Sequence, residues 1–487
     1  MTATPRTTSP TASHMTSPTP PGGPSGGRRA PLRRADGATL ACFFLVALIL
    51  IPARQVLRGL PISLTVHDIL GVGILLCWLL AHFSTRLGVA KGPNPVRRSI
   101  FVFATVLLFS YGYTSFRYLP NDELNSSDHM LIVMVGYIGI ALGVCDGVRG
   151  RERLDLVLKT VAVSGAVISF IGALQFLFVF DLTEFMRVPL LRPTTEEELE
   201  RVIERGSLLR VASTTGHPIE FGVVSAMILP LAVHYAHRAQ AAGRGAVRWW
   251  VCAGLVASGL MWSVSRSAVL AALAVGAVLF LGWSNRRRIR MLVAAVVALA
   301  LTKVLVPGLL GTFYELFANV GRDDSISYRT HDYDNAVVEI SRHPWLGRGI
   351  GTWYAPKHQI FDNQYILTAV ESGLIGVATF FGLFVVAQYA LVRVRLLASG
   401  DEQTRDLALA LSAALITPLV GSATFDLLSF PMVSGLSFAL LGAAGALLRA
   451  VRERGGVPAD AAARGGMAVP PAREAPTGAA PSAGATA

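Results

Sequence analysis

Residues 267–305 read SAVLAALAVGAVLFLGWSNRRRIRMLVAAVVALALTKVL, two apolar runs separated by the basic segment NRRRIR. A helix that crosses a bilayer needs about 20 consecutive, mostly apolar residues. Both runs approach that length, and the arginines between them are typical of a short loop on the cytoplasmic side of a membrane. The stretch therefore predicts two transmembrane helices joined by a cytoplasmic turn.

The composition of the whole chain favours the same environment. Of its 487 residues, 52% are hydrophobic and 15% are charged, which is too apolar for a soluble fold of this length. The net charge of +12 lies in short clusters between apolar runs, so it does not indicate a nucleic-acid-binding surface. The four cysteines fall inside apolar runs, where they form neither a disulfide framework nor a metal-binding pattern.

We predict an all-α polytopic membrane protein whose transmembrane domain spans residues 37–452. A basic arm, residues 1–36, and an Ala-, Pro- and Gly-rich tail, residues 453–487, are predicted to be disordered. Apolar runs of sufficient length predict about twelve transmembrane helices, near residues 38–56, 64–83, 98–118, 129–147, 155–180, 219–236, 247–264, 267–283, 289–310, 364–392, 404–424 and 431–449.

The distribution of arginine and lysine orients these helices. Every second connection is short and basic, and the alternate connections are acidic or balanced. The positive-inside rule then places both termini in the cytoplasm. The first outer loop, with Arg54 and Arg58, departs from the pattern.

Two outer segments, residues 181–218 and 311–363, are too long to be simple connections. The first contains TTEEELERVIERG, in which Thr194 or Thr195 is expected to cap a short helix. The second contains a helical stretch after Arg329, ended by the turn sequence HPWLGRGIG. Because both segments lie on one side of the membrane, we expect the functional site there.

Charged residues at the boundaries of the helices are the candidates for chemistry. Arg266, between two apolar runs, either reaches the membrane interface or holds a phosphate, to which a guanidinium binds through two parallel hydrogen bonds. Asp362 and Asn363 precede an apolar helix. Asp362 either caps that helix or accepts a proton from a hydroxyl group.

Four motifs in residues 205–380 together resemble the O-antigen ligase and polymerase family. They are RVASTTGHPIEFG, the pair in SVSRSAV, an arginine ahead of the helix closed by HPWLGRGIG, and DNQYILTAVESGLIG. The last two in combination are the most specific. In the family the final motif begins with His-Asn or Asp-Asn and continues as Glu-x-Gly-x-x-Gly, which Glu371, Gly373 and Gly376 match.

The resemblance implies transfer of a glycan from an undecaprenyl-diphosphate-linked donor to a hydroxyl acceptor, outside the cytoplasmic membrane and without metal or cofactor. Arg266 and Arg329 would bind the diphosphate and stabilise its charge as the sugar leaves. Asp362 stands where ligases often have a catalytic histidine, so it would be the general base. His358 is the alternative base.

Four residues are candidates for substrate binding. Arg210 is expected to contact glycan or phosphate, Trp353 to stack on a sugar, and His358 and Asn363 to contact the substrate. His217 is interpreted instead as shaping the turn before the next helix.

Two other functions remain open at this point. A lipid-linked glycan flippase would need ionisable residues within its helices and internal repeats. A metal-dependent glycosyltransferase using a polyprenyl-phosphate sugar would need an acidic pair, for which Asp332 and Asp334, or Asp122 and Glu123, are poor candidates.

Overall fold

The computed structural model describes residues 36–60, 62–83, 92–186, 188–194, 202–205, 208–311, 314, 324–354 and 357–454, with the backbone alone at 202–205, 208–209, 305 and 324–332. The predicted terminal arm and tail fall outside these residues, apart from Asp36, Glu453 and Arg454. Asp36 caps the first helix by accepting a hydrogen bond from the backbone N–H of Thr39 at 3.0 Å.

Helices dominate the described part of the chain. In order, α1 to α13 are Gly37–Leu50, Val66–Phe83, Pro95–Ser115, Asn121–Gly147, Gly150–Phe178, Pro218–Ala241, Ala246–Trp262, Arg266–Gly282, Asn285–Leu305, Asp324–Arg342, Gln364–Leu397, Glu402–Gly421 and Pro431–Arg454.

Each of the twelve predicted segments overlaps one of these helices, and α10 (Asp324–Arg342) lies in the predicted second outer segment. Among the described residues, seven helices are long and apolar enough to cross a membrane: α2, α4, α5, α6, α11, α12 and α13. Three shorter apolar helices, α1, α7 and α8, accompany them. The chain is therefore a largely α-helical, multi-pass membrane protein, whereas a count of twelve spans stays a prediction.

The first long segment contains strands where a short helix was expected. β3 (Val202–Arg205) pairs antiparallel with β4 (Leu208–Val211), while residues 195–201 of the predicted helix lie outside the described part. Val202 and Ile203 are β-branched and suit a paired strand, which overrides the capping signal that preceded them. The hairpin fixes Arg210 opposite Ile203 in the strand register.

Glycines allow the helices to approach closely. A Cβ on Gly139 of α4 would lie 2.2 Å from the carbonyl oxygen of Gly71 in α2. A Cβ on Gly442 of α13 would lie 2.4 Å from the carbonyl oxygen of Ala141, also in α4. Such small-residue contacts are the usual way in which helices associate inside a membrane. They leave α13 almost wholly buried at the centre of the bundle.

Helix α11 is kinked at Gly373, which has φ 69° and ψ −176°. The N–H of Leu374, which would donate to Val370 in an unbroken helix, donates instead to the carbonyl of Pro344 at 2.8 Å. The vacated carbonyl of Val370 accepts from the N–H of Arg348, and that of Glu371 accepts from the N–H of Gly349, both at 2.8 Å. The HPWLGRGIG turn thus completes the broken helix, and the two most specific sequence motifs form one structural unit.

We expect Gly373→Ala to destabilise the protein and Gly382→Ala, in the same helix, to be tolerated. The first adds a Cβ 2.2 Å from the carbonyl oxygen of Trp345 and forces alanine to a positive φ, which costs about 1–2 kcal/mol before the collision is counted. The second meets no atom within 4 Å. Thermal unfolding of both variants in detergent measures the difference, and equal unfolding temperatures would contradict this account of the kink.

Candidate active site

The N-terminus of α11 presents Asp362. Its neighbour Asn363 is the helix cap, because the Asn363 side chain accepts hydrogen bonds from the N–H groups of Tyr365 and Ile366, at 3.0 and 3.3 Å. The capping role considered for Asp362 thus belongs to Asn363, and the exposed carboxylate of Asp362 is not needed for it. Asn363 remains a candidate for substrate binding only in addition to this structural role.

Arg210 and His217 stand on either side of a buried turn. Arg210 is only 7% exposed, and its Nε donates to the carbonyl of Ser263 at 3.4 Å. His217 caps α6, with its Nδ1 accepting from the N–H of Ile219 at 3.1 Å. This confirms the interpretation of His217 as a residue that shapes the helix start. Because Nδ1 is an acceptor, a neutral ring carries its proton on Nε2.

Electrostatics bring His217 together with residues that are distant in sequence. Burial, the largest cause, and the positive charge of Arg210 together lower the pKa of His217 to about 4, although the negative charge of Asp362 opposes the shift. The imidazole is therefore neutral at pH 7. The charges of Arg210 and Asp362 thus both act on the neutral His217 ring.

Asp426 is a fourth member of this group. Burial raises the pKa of Asp426 to about 6, a hydrogen bond from Ser429 opposes the rise, and the charge of Asp362 adds to it. From the sequence, the FDLLSF loop was interpreted only as an outer connection, and Asp426 was not singled out. The available signal was a carboxylate between two apolar runs, on the same side as Asp362.

The two arginines predicted to bind diphosphate, Arg266 and Arg329, are described by the structure to different extents. Arg266 begins α8 directly after the Ser263–Ser265 turn, whose first carbonyl Arg210 contacts. Arg329 lies in α10, but its side chain is outside the described residues. Arg266 and Arg210 thus both adjoin the Ser263–Ser265 turn, and the pairing of Arg266 with Arg329 stays a prediction.

His358 and Trp353 belong to a packed cluster. His358 Nε2 lies 3.2 Å from Glu123 Oε1, and the His358 ring stacks on Trp353 with centroids 4.4 Å apart. Trp353 also stacks on Phe361, at 5.2 Å, beside Asp362. The substrate contacts predicted for His358 and Trp353 stay a prediction; the contacts observed here hold the segment that leads to Asp362.

Glu123 holds this cluster together. From the sequence it was considered only as one member of a poor metal-binding pair. It is 1% exposed and accepts from Arg348 Nη2 at 2.7 Å and Lys357 Nζ at 2.8 Å. Nothing in the sequence marks it apart from its place at the start of α4. Within the described residues, no group of three His, Cys, Asp or Glu side chains could hold a metal ion; the side chain of Asp332 falls outside them.

A cavity of about 500 Å³ opens beside these residues. Its wall combines aromatic, carboxylate and imidazole groups, among them Trp353, Tyr354, Phe361, Asp426, His67 and His129. Such a volume is ordinary for a ligand site, and polar groups among aromatic rings suit a hydroxyl-rich ligand.

Residues 251–381 match the family model for O-antigen ligase. The match contains Arg266, the HPWLGRGIG turn and Asp362. The resemblance to the O-antigen ligase and polymerase family is confirmed. The match, which covers residues 251–381, supports a membrane enzyme of the O-antigen ligase and polymerase type. No curated protein matches the chain.

We expect Glu123→Ala to destabilise this ligase-type enzyme by about 3 kcal/mol, the low end for breaking a buried ion pair, because Arg348 and Lys357 stay partly exposed. Asp122→Asn is the matched control. Asp122 is exposed, and its side chain interacts with Tyr354 and Lys357 at the surface, where solvent screens the charges, so the change should have little effect on stability. Thermal unfolding and proteolysis within residues 343–363 measure both; similar behaviour of the two variants would refute the anchoring role.

Asp426→Asn should change how stability depends on pH. A carboxyl whose pKa is raised on folding stabilises the protein below its unfolded pKa and loses that contribution as pH rises through its folded pKa. With a folded pKa of about 6, the variant should gain about 2 kcal/mol relative to the parent protein between pH 4 and 7. Unfolding temperatures of both proteins across this range measure it, and parallel curves would contradict the assignment.

Proposed function

We propose that the protein transfers a glycan from an undecaprenyl-diphosphate-linked donor to a hydroxyl acceptor on the outer side of the cytoplasmic membrane, with both termini in the cytoplasm. The observation that carries the proposal is the electrostatic interaction of His217 with Arg210 and Asp362, and of Asp362 with Asp426, which links three segments far apart in the sequence. A cation and two carboxylates beside a cavity are what this transfer requires.

The carboxylate of Asp362 and the arginines have different roles in the reaction. Asp362 takes the proton of the acceptor hydroxyl, whose oxygen attacks C1 of the donor sugar. The bond between C1 and the diphosphate oxygen breaks, and the diphosphate leaves with the bonding electrons. Arg266 and Arg210, with Arg329 as the resemblance implies, stabilise the negative charge on the leaving group.

His217 and Asp426 affect the hydrogen bonding and the protonation of the site. His217, neutral and fixed as a donor at Nε2, supplies a hydrogen bond without adding a charge beside the base. Asp426 and Asp362 repel each other, which favours uptake of one proton by the pair. The proton released by the acceptor thus has a second carboxylate to receive it.

The absence of histidine at position 362 favours polymerisation, or transfer to an acceptor other than lipopolysaccharide, over a lipopolysaccharide ligase. The products distinguish these reactions, because a polymerase yields a ladder of repeat units on the lipid and a ligase yields a single transfer to a second acceptor. We propose that neither reaction needs a metal ion, so a chelator should leave activity unchanged.

The test is complementation of a gene deletion with Arg266→Ala, Arg329→Ala or Asp362→Asn. We expect each variant to lower transfer at least about 100-fold, the usual loss when a group that stabilises transition-state charge is removed. Lipid-linked single units should accumulate while protein level stays normal. Arg244→Ala, an exposed arginine between α6 and α7, is the control. Full activity of Arg266→Ala and Asp362→Asn would refute the proposal.

A further inference from the structure

A second large cavity lies beside a two-stranded sheet. β1 (Gln55–Leu57) pairs antiparallel with β2 (Leu191–Pro193), with Val56 opposite Arg192. The adjoining cavity has a volume of about 630 Å³. Among the described residues, its titratable lining residues are three arginines and one glutamate, namely Arg54, Arg58, Arg192 and Glu184. This described lining carries a net positive charge, so the cavity is called the electropositive cavity.

These arginines are the ones that the positive-inside rule leaves unexplained. Arg54 and Arg58 follow α1, at the end of the bundle predicted to face outward, where basic residues are disfavoured. The sheet adds a third arginine, Arg192, from a segment more than 130 residues later. Backbone hydrogen bonds hold the arrangement: Thr194 N–H donates to Arg54 at 2.8 Å and Arg58 N–H to Leu190 at 3.0 Å. A binding function would account for their retention.

A buried polar atom also lines this cavity. Gln55 is 8% exposed, and its Nε2 donates to the carbonyl of Met186. Its Oε1 is buried and makes no hydrogen bond with any described residue. An unsatisfied buried amide oxygen is costly, so a donor such as a ligand hydroxyl is the expected partner. Leu190, at φ 72°, adds a strained backbone at the rim, a feature that clusters at ligand sites.

The strand β1 is shared with the candidate active site. Ala53, Val56 and Thr194 line the 500 Å³ cavity, whereas Arg54, Gln55 and Pro193 line the electropositive one. Neighbouring residues of the same strand pair thus line both cavities. A saccharide longer than one sugar could occupy both.

We propose that the electropositive cavity binds an acidic sugar unit of the glycan substrate. Arg58 and Arg192 pair with its carboxylate or phosphate, and Gln55 Oε1 accepts a hydrogen bond from a neighbouring hydroxyl. That the ligand is a saccharide rests on the proposed function; that it is anionic rests on the cavity itself. A lipid headgroup shares the anionic chemistry, but Gln55 favours a ligand that also carries hydroxyl donors.

The experiment measures binding by the full chain in phosphatidylcholine nanodiscs. Titration with tetragalacturonic acid, an acidic saccharide, is compared with maltotetraose, a neutral one of equal length. The double variant Arg58→Gln/Arg192→Gln should bind the acidic saccharide at least about tenfold more weakly, as expected for the loss of charge-assisted hydrogen bonds. Arg244→Gln/Arg248→Gln, at the start of α7, removes the same charge elsewhere.

Salt-sensitive binding of the acidic saccharide alone, lost in the first double variant and kept in the second, supports the inference. Equal binding of both saccharides, or equal binding by both double variants, overturns it. Displacement of the saccharide by phosphatidylglycerol nanodiscs would assign the cavity to lipid and also overturn it. If the protein does not bind the acidic saccharide but transfers glycan normally, this inference alone is refuted. If Arg266→Ala transfers glycan normally and still binds the saccharide, only the proposed function is refuted.

Discussion

Three backbone hydrogen bonds between the HPWLGRGIG turn and the kink at Gly373 are the constraint on which the site depends. A helix broken inside a membrane leaves carbonyl and N–H groups that lipid cannot satisfy. The turn supplies a donor for Val370, a donor for Glu371 and an acceptor for Leu374. The kink and the turn therefore exist only together, and the chain that leaves the turn is brought back to begin α11 at Asp362.

The site also depends on buried charged side chains that are paired with groups of opposite charge. Glu123 binds Arg348, Lys357 and His358, and through His358 and Trp353 this cluster reaches Phe361, next to the candidate base. At the site itself, burial keeps His217 neutral and places the titration of Asp426 near pH 6. The same physical effect, the cost of charge away from water, thus builds the support of Asp362 and tunes its surroundings. Positive charge is supplied from the other side, by Arg210 and the start of α8.

Features that depend on local sequence were predicted correctly, whereas features that depend on contacts between distant residues were not. Apolar runs located all twelve predicted helices because hydropathy is a property of each segment alone. Val202–Arg205 was misassigned because capping residues indicate a helix locally, while strand pairing depends on a partner beyond the turn. His217 was correctly assigned to a helix start, but its proximity to Asp362 comes from α6 and α11 meeting in space. Glu123 and Asp426 were passed over because each gains its role from partners at least 60 residues away.

Hydropathy, basic loops and contiguous motifs are properties of the linear chain, so they were enough to predict a polytopic helical membrane protein and its resemblance to the O-antigen ligase and polymerase family. Which charged residues interact became known from the folded structure. It replaced Asp362 by Asn363 as the cap of α11, assigned His358 to a packed cluster, and brought Arg210, His217 and Asp426 to Asp362. The physical reason is that burial and electrostatic coupling depend on distances through space, which the packing of helices sets and the spacing of residues does not.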